Sequence, residues 1–405
     1  MEIARRRLVA RLAYPILAVG LLAQIVIPVA RIATSYKSAE MGFSALEILL
    51  LSSTFSLLPI GVVIWIGRYN DRYGARRSVL LGALMLLGAS LMLLFAEASW
   101  ATLLGATAVL GLGMTLQLAG IQAEIGAFRH DRHRLGMTQG LMVWQAIGQV
   151  VAPLLLSLVS VVSADADVAR SLLVWAVGLS VVSVLFSVSI FAYAAVPRGA
   201  APPKVPLATI LRVPGLFWIC VAGSLCVAVQ DAMLILMPIL GLERGIPAAT
   251  VGIMLSVFAV GQIVARGLYR TVMARLGNLV LMVLAVVITG IGTALLAIPM
   301  PEAIASIALL VVGMGVGFST GSSISLTMQL APRGAISTSL SIRLAMNRTG
   351  QFGVLLVAGL AAASLGTGGV LLLLGASVGG YAMFAPRRVN LTSPPAADKP
   401  DWPVE

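Results

Sequence analysis

Long apolar runs, each about the length needed to cross a lipid bilayer, dominate this sequence. Hydrophobic residues make up 59% of the 405 positions, and charged residues only 10%. A water-soluble domain needs a polar outer shell and cannot hide so large a share of apolar side chains. A bilayer removes that need. We therefore expect an all-α membrane protein built from spanning helices.

Twelve such runs can be counted, given that about 20 helical residues cross roughly 30 Å of hydrocarbon. The weakest separations lie at 96–100, 298–302 and 363–367. A cleaved signal peptide is the alternative interpretation of the basic residues at 5–7 and the apolar run behind them, but eleven further spans disfavour it. The predicted spans are 12–34, 44–66, 78–96, 100–123, 135–160, 170–195, 214–240, 246–265, 278–298, 302–328, 335–363 and 367–385.

The basic residues fall mainly on one side of the predicted spans. Of the 27 Lys and Arg residues, 21 lie with the two termini and three lie opposite, namely Lys37, Arg170 and Arg244. The positive-inside rule then predicts both termini in the cytoplasm, and the membrane we expect is a bacterial inner membrane. This topology accounts for the formal charge of +12 without a nucleic-acid partner. Cys220 and Cys226 share span 7, so no disulfide framework is expected.

An internal repeat divides the chain into two halves. Gly111 and Gly113 in span 4 recur as Gly313 and Gly315 in span 10, at an offset of 202. Phe55 recurs as Phe258, and Gly74 as Gly277, at an offset of 203. Parallel repeats of this kind are typical of transporters, with the substrate site between the halves. The predicted parts are an N-terminus (1–11), a first six-helix bundle (12–195), a linker (196–213), a second bundle (214–385) and a tail (386–405).

The charged stretch 67–77, GRYNDRYGARR, lies between spans 2 and 3. It closely resembles the loop 2–3 signature of the major facilitator superfamily (MFS). A degenerate second copy, 274–277, precedes span 9, with Ala274 where the first copy has Asp71. The resemblance covers about 12–385. It implies the MFS fold, with twelve transmembrane helices in two pseudo-symmetric bundles, and secondary transport by alternating access.

In members of that family, the acidic residue of the signature helps to latch the halves together on the cytoplasmic side. The resemblance assigns this role to Asp71, whose carboxylate can also sit favourably near a helix N-terminus. A positively charged loop with an incidental aspartate is the alternative. The predicted latch residues are Gly67, Asp71, Arg72, Gly74, Arg76 and Arg77.

Polar side chains inside the spans are costly and usually face a cavity or a partner. Arginine presents forked donors to carboxylates, and glutamine can bind ring edges, so the set suits a small anionic or planar polar solute. Arg31, near the outer end of span 1, can instead extend to the interface. The candidate substrate-binding residues are Gln24, Arg31, Gln117, Trp144, Gln145, Gln149, Gln230, Arg343, Asn347, Arg348 and Gln351.

Two carboxylates are candidates for proton coupling. Asp231 in span 7 is the predicted partner of Arg348 in span 11, and its protonation would release Arg348 to hold substrate. A static structural ion pair is the alternative. Glu124 is the next candidate, although it lies near the cytoplasmic end of span 4.

Other substrates and roles stay open. Cys226, Met233 and Met237 share a face of span 7 and suit Cu(I), and the Met pair resembles a bacterial copper-importing branch of the superfamily. That branch also uses a His-x-x-x-Met pair on span 8, where this chain has Gly261 and Ala265. A related branch without the His pair carries riboflavin, which makes a flavin-like substrate a specific hypothesis.

A drug or metabolite exporter is disfavoured but open, since Thr107 stands where drug/proton antiporters have an arginine. A non-transporting receptor of the same fold is also open. The chain shows no nucleotide-binding loop, metal-ligand cluster or catalytic triad, so we expect neither an enzyme nor a bound cofactor. The expected partners are a small-molecule substrate, protons and the lipid bilayer, and the expected state is a monomer.

Overall fold

A computed structural model describes the backbone of residues 2–95, 99–126, 131–162, 167–192, 209–210, 212–331 and 336–384. Within these ranges, the side chains of 2–13, 64, 67–68, 71–73, 126, 131–136, 139, 336–338 and 341 are not described. Residues 193–208 and 211, which include most of the predicted linker (196–213), and the tail from 385 lie outside the described residues.

The described chain is helical almost throughout. Its helices are α1 (Glu2–Glu40), α2 (Ala45–Tyr73), α3 (Ala75–Phe95), α4 (Trp100–Gly126), α5 (Asp131–Val162), α6 (Val168–Ser189), α7 (Leu216–Arg244), α8 (Ala248–Leu276), α9 (Asn278–Leu295), α10 (Glu302–Leu330) and a last helical segment, Ile336–Phe384. A 3-10 turn, Ile190–Ala192, follows α6.

Gly366 divides the last segment into two helices. Its φ of 66° and ψ of 179° interrupt the helical backbone, and a left-handed φ of this kind is easy only for glycine. We call the parts α11 (336–365) and α12 (367–384). Gly375 packs against Gly290 and Ala294 of α9, so α12 runs back along the bundle. The predicted twelve helices are confirmed. The separation between spans 11 and 12, predicted at 363–367, is a turn at Gly366.

The charged stretch after span 2 is mostly helix, which corrects the expectation of a loop between spans 2 and 3. α2 continues to Tyr73, and α3 begins at Ala75. Only Gly74 leaves the helix, with a φ of 100°. The second half repeats this turn at Gly277, whose φ is 79°. Because α2 continues to Tyr73, the charged residues 68–72 lie on helical backbone beyond the apolar part of that helix.

The same helix pairs pack in both halves. In the first half, α4 packs on α2 and α3, and α1 packs on α5 and α6. In the second half, α10 packs on α8 and α9, and α7 packs on α11 and α12. The repeated glycines explain the closest of these pairs. Gly111 of α4 packs against the backbone carbonyl of Phe55, and Gly313 of α10 packs against that of Phe258. In each half, the glycine and the phenylalanine that the repeat preserves are thus in contact with each other.

Direct contacts between the halves close one side of the molecule. We call the side of the 41–44 turn the distal side, and the side where α1 begins and α12 ends the terminal side. Ser157 of α5 donates to the Ala249 carbonyl of α8 at 2.7 Å, and Gly252 packs on the same part of α5. Gly359 of α11 packs against Leu46 of α2 in the same way. These contacts lie in the distal parts of the four helices.

Two of the three basic residues predicted on the distal side cap helix ends. Lys37 donates to the Leu93 carbonyl at the end of α3, at 2.5 Å. Arg244 donates to the Leu296 and Ala297 carbonyls after α9, at 3.2 and 2.8 Å. The last carbonyls of a helix have no partner within the helix and favour a cation. Lys37 and Arg244 therefore have a structural role on the distal side, where few other basic residues lie.

Candidate functional site

A cavity lies between the halves near the middle of the spans, with about 520 Å³ of space between atoms, including where it opens to solvent. It is lined by both halves, as expected for parallel repeats. Its lining residues are Gln24, Ile27, Pro28, Arg31, Phe55, Met114, Gln149 and Pro153 from the first half, and Gln230, Asp231, Leu234, Leu255, Phe258, Ala259 and Gln262 from the second.

An ion pair crosses the cavity from one half to the other. Arg31 Nη1 of α1 lies 3.0 Å from Asp231 Oδ2 of α7. The two residues are 5% and 7% exposed, so Arg31 does not extend to the interface. The Oδ2 atom and the Arg31 Nε and Nη2 atoms make no hydrogen bond in the described structure. The pair therefore keeps hydrogen-bonding capacity for a ligand.

Asp231 thus pairs with Arg31, where the sequence predicted Arg348. A helical pattern shows which residues share a face, but not which neighbouring helix that face meets. Arg348 Nη1 instead donates to Gln351 Oε1 at 3.1 Å, and Nη2 lies 3.6 Å from Met114 Sδ. Within the described chain, no carboxylate lies within ion-pair distance of Arg348.

Phe55 lies near both arginines. The guanidinium carbon of Arg31 lies 4.5 Å from the centre of its ring, and that of Arg348 lies 5.9 Å away. A phenyl ring attracts a nearby cation. Counting Arg31, Arg348 and Asp231, this region carries one net positive charge.

Four glutamines provide the neutral polar groups of the cavity lining. In the first half, Gln149 Nε2 donates to Gln24 Oε1 at 3.3 Å. In the second half, Gln230 lies beside Asp231, and Gln262 accepts from Arg266 Nη2 at 3.4 Å. Amide groups on opposite walls, together with Phe55, suit a planar molecule with polar edges.

Other predicted substrate-binding residues lie outside the cavity lining. Gln117 is fully buried inside the first half, where its Nε2 donates to Ser183 Oγ of α6 at 3.0 Å. Trp144 and Gln145 are partly exposed residues of α5 and do not line the cavity. Arg343 and Asn347 lie nearer the terminal side on α11, and both are buried.

The second coupling candidate, Glu124, is part of a different ion pair. Its Oε2 lies 3.3 Å from Arg76 Nε, and both residues are buried. Asn70 and Ser78 form a hydrogen bond on the same side. Of the predicted latch residues, Gly74 forms the turn between α2 and α3, Arg76 pairs with Glu124, and Arg77 is exposed. The surroundings of Gly67 and the side chains of Asp71 and Arg72 are not described.

The copper candidates are core residues. Cys226, Met233 and Met237 are 0%, 0% and 1% exposed and belong to the main apolar core. None of them lines the cavity, although Gln230 on the same helix does. Within the described residues, no group of three His, Cys, Asp or Glu side chains could hold a metal ion.

Ten of the 15 lining residues were not among the predicted site residues, including Phe55, Met114, Phe258 and Gln262. Gln262 could have been found, because it is a polar residue inside predicted span 8. Phe55 and Phe258 were recognised as a repeat pair but not as cavity residues. Met114 looked like one apolar residue among many.

A sequence model described as Major Facilitator Superfamily matches residues 12–354. The chain belongs to this superfamily. The match covers both halves and agrees with the two bundles and the cavity between them. Membership supports a role in membrane transport for this MFS protein rather than in catalysis.

Curated relatives match only part of the chain. The methyl viologen resistance protein SmvA of Salmonella typhimurium is 33% identical over 125 residues, which cover 30% of this chain and 24% of the relative. This chain thus spans about a quarter of that relative's length.

Several solved structures share the fold over nearly the whole chain. The nucleoside transporter NupG gives a TM-score of 0.74 at 16% identity, covering 93% of this chain and 98% of that one. A D-xylose-proton symporter gives 0.76 at 14% identity, with coverages of 94% and 98%. A bacterial homologue of the human lysosomal transporter Spinster, inward-facing and unoccupied, gives 0.73 at 14%, with coverages of 94% and 97%. At these identities the likeness shows the fold alone.

Proposed function

We propose that this MFS protein is a secondary active transporter of a small organic solute that is anionic or planar and polar, with a flavin-like heterocycle as the specific hypothesis. The observation that carries the proposal is the cavity between the halves, which Arg31, Asp231 and Phe55 line, with Arg348 outside the lining and 5.9 Å from the centre of the Phe55 ring. The Arg31–Asp231 pair neutralises itself and leaves Arg348 as the cation available to a substrate anion. The glutamines and Phe55 then bind the uncharged part.

The ion pair also supports proton coupling through Asp231. Because Arg31 and Asp231 belong to different halves, the bond between them holds in one relative position of the halves and must break when they move apart. Protonation of Asp231 would remove its charge and favour that movement. Coupling of this kind needs a buried carboxylate at the boundary between the halves, and Asp231 meets that condition.

The contacts that close the distal side support an inward-facing state. If the charge distribution places the terminal side in the cytoplasm of a bacterial inner membrane, the cavity can open only toward the cytoplasm in this conformation. The latch residues of the α2–α3 turn would then act in the opposite, outward-facing state.

Purified protein in liposomes provides the test, with a thermal-shift screen used first to find ligands among organic anions, nucleobases and flavins. A ligand that binds the folded state raises the apparent melting temperature. The best ligand, radiolabelled, should accumulate in liposomes when a proton gradient is imposed. Arg348→Gln should weaken the binding of an anionic ligand at least tenfold, while Arg170→Gln, an exposed cation on the distal side, should not change it.

Export of an organic cation is the second candidate, favoured by the similarity to the methyl viologen resistance protein. Methyl viologen is a dication, and the net positive charge around Phe55 disfavours it. Cells that express the protein should therefore be no more resistant to methyl viologen than cells with the vector. Clear resistance that is lost in Asp231→Asn would favour the exporter instead.

A further inference from the structure

The side chains of Gln24 and Gln149 form an amide pair on the first-half wall of the central cavity. Gly148 of α5 packs against the Leu21 carbonyl and the backbone of Gln24 on α1, so the two helices are in close contact at this level. That contact places Gln149 beside Gln24, and Gln149 Nε2 donates to Gln24 Oε1 at 3.3 Å. Both residues line the cavity. The pair is therefore held by the packing of α1 on α5 and faces the space in which a solute would bind.

This amide pair keeps hydrogen-bonding capacity for a ligand. Gln149 Oε1 is buried and makes no hydrogen bond within the described structure, and neither does Nε2 of Gln145, one turn earlier on α5. A buried polar atom nearly always has a partner, so Gln149 Oε1 needs a donor. Two amides joined by one hydrogen bond leave one carbonyl oxygen and one amino group free, whichever of them donates. The first-half wall thus offers an acceptor next to a donor.

The second half holds its cavity glutamine in a different way. Gln262 of α8 lines the cavity and is 2% exposed, and Gly317 of α10 packs against its backbone. Arg266 Nη2, one turn further along α8, donates to Gln262 Oε1 at 3.4 Å. A guanidinium carries only donors, so this contact turns the amide oxygen toward Arg266 and leaves Nε2 for other partners. Gln262 therefore offers the cavity a donor.

We propose that these three glutamines select a planar heterocycle that contains a cyclic amide, which is a ring N–H next to a ring carbonyl. The N–H donates to the free carbonyl oxygen of the Gln24–Gln149 pair, and the ring carbonyl accepts from its free amino group. Gln262 donates to an acceptor on another edge of the ring. Phe55 and Phe258, one from each half, also line the cavity and provide aromatic surface for the planar ring.

Selection of a cyclic amide rests on the proposed function and narrows its substrate class. A simple carboxylate accepts hydrogen bonds but donates none, so it would leave Gln149 Oε1 without a partner. A buried acceptor without a donor lowers affinity. A ring that carries both an N–H and a carbonyl satisfies both free groups of the amide pair.

The test is ligand binding to the full-length protein purified in detergent, measured by thermal shift and by equilibrium binding. Riboflavin, uracil and hypoxanthine serve as cyclic amides of different size. At least one of them should raise the melting temperature with a saturable dependence on concentration. Its analogue methylated at the ring amide nitrogen should bind about tenfold more weakly or worse. No binding of any of the three, or equal binding of the methylated analogue, would overturn the proposal.

Matched variants locate the preference for the ring N–H. Gln149→Met keeps the length of the side chain without its amide and should abolish the preference, and Gln24→Met serves if that variant does not fold. Gln145→Met removes an amide of the same helix that does not line the cavity, and it should keep the preference. Gln262→Glu keeps an oxygen for Arg266 but loses the donor, so it should weaken both ligands by the same factor. A preference that survives in both Gln149→Met and Gln24→Met, or is lost in Gln145→Met, would overturn the proposal.

Uptake into liposomes tests the proposed function separately. A cyclic amide that binds with this pattern but is not accumulated would support the selection by the three glutamines and contradict transport. Accumulation of a ligand that has no cyclic amide, together with no binding of the three heterocycles, would support transport and overturn the selection.

Discussion

Arg31 and Asp231 are joined at 3.0 Å across the boundary between the two halves of this MFS protein, and both are buried. They come from α1 and α7, the first helix of each half. Their bond is therefore a contact that one arrangement of the halves makes and another must lose. This separates them from Arg76 and Glu124, whose ion pair lies within one half.

Breaking the central ion pair from one side should destabilise this conformation. Arg31→Gln or Asp231→Asn alone leaves one buried charge unpaired, at a cost of about 3–5 kcal/mol. The double variant removes both charges and should unfold at a higher temperature than either single variant. Thermal unfolding of the parent protein, the two single variants and the double variant in detergent gives a double-mutant cycle, which measures the interaction between the two residues. Strictly additive losses would mean that the two residues do not interact.

Asp231→Asn should abolish the pH dependence of uptake while exchange of substrate down its own gradient continues. Asparagine keeps the shape of the side chain but cannot take up a proton. Glu124→Gln is the matched control, since it removes a buried carboxylate from an ion pair within one half. We expect it to lower stability and leave the pH dependence intact. The opposite result would make Glu124 the coupling carboxylate.

Gly111→Ala should destabilise the first half by about 1–3 kcal/mol, because the added methyl group meets the Phe55 carbonyl and forces the helices apart. Gly313→Ala should act in the same way on the second half. Gly61→Ala and Gly267→Ala are controls in open surroundings, where alanine favours the helix by up to about 1 kcal/mol. Equal effects at all four positions would contradict this packing.

Topology can be tested by cysteine labelling, since both native cysteines are buried and should react slowly. A cysteine at Met41 should react with a membrane-impermeant maleimide in intact cells. A cysteine at 129, between α4 and α5 in the sequence, should react only after permeabilisation. The reverse pattern would invert the predicted orientation of the protein.

Asp71→Asn should leave expression largely unchanged but reduce transport, if Asp71 belongs to a latch that stabilises the outward-facing state as the resemblance implies. This prediction comes from the sequence resemblance, since the side chain of Asp71 lies outside the described residues. Arg270→Gln, which removes an exposed cation near the terminal-side end of α8 and is not a latch residue, shows the effect of changing surface charge alone. Normal uptake kinetics in Asp71→Asn would mean that Asp71 is an incidental charge of α2 without a latch role.

The number of helices and their grouping in two halves could be predicted from the sequence, because the bilayer imposes a minimum apolar length on each span. The repeat of Gly111 at Gly313 and of Phe55 at Phe258 was also visible, since close helix packing requires a small residue at a fixed position. Helix ends were less accurate. The α2 helix extends past its apolar run to Tyr73 because charged residues can continue a helix into water.

The partners of the polar residues were decided only by the tertiary structure. Gln117 and Gln149 look alike in sequence, yet one binds Ser183 inside the first half and the other lines the cavity. Asp231 was expected to pair with Arg348 in its own half and instead pairs with Arg31 of the other. Helical periodicity determines the face on which a side chain lies, whereas the packing of distant helices determines what that face meets.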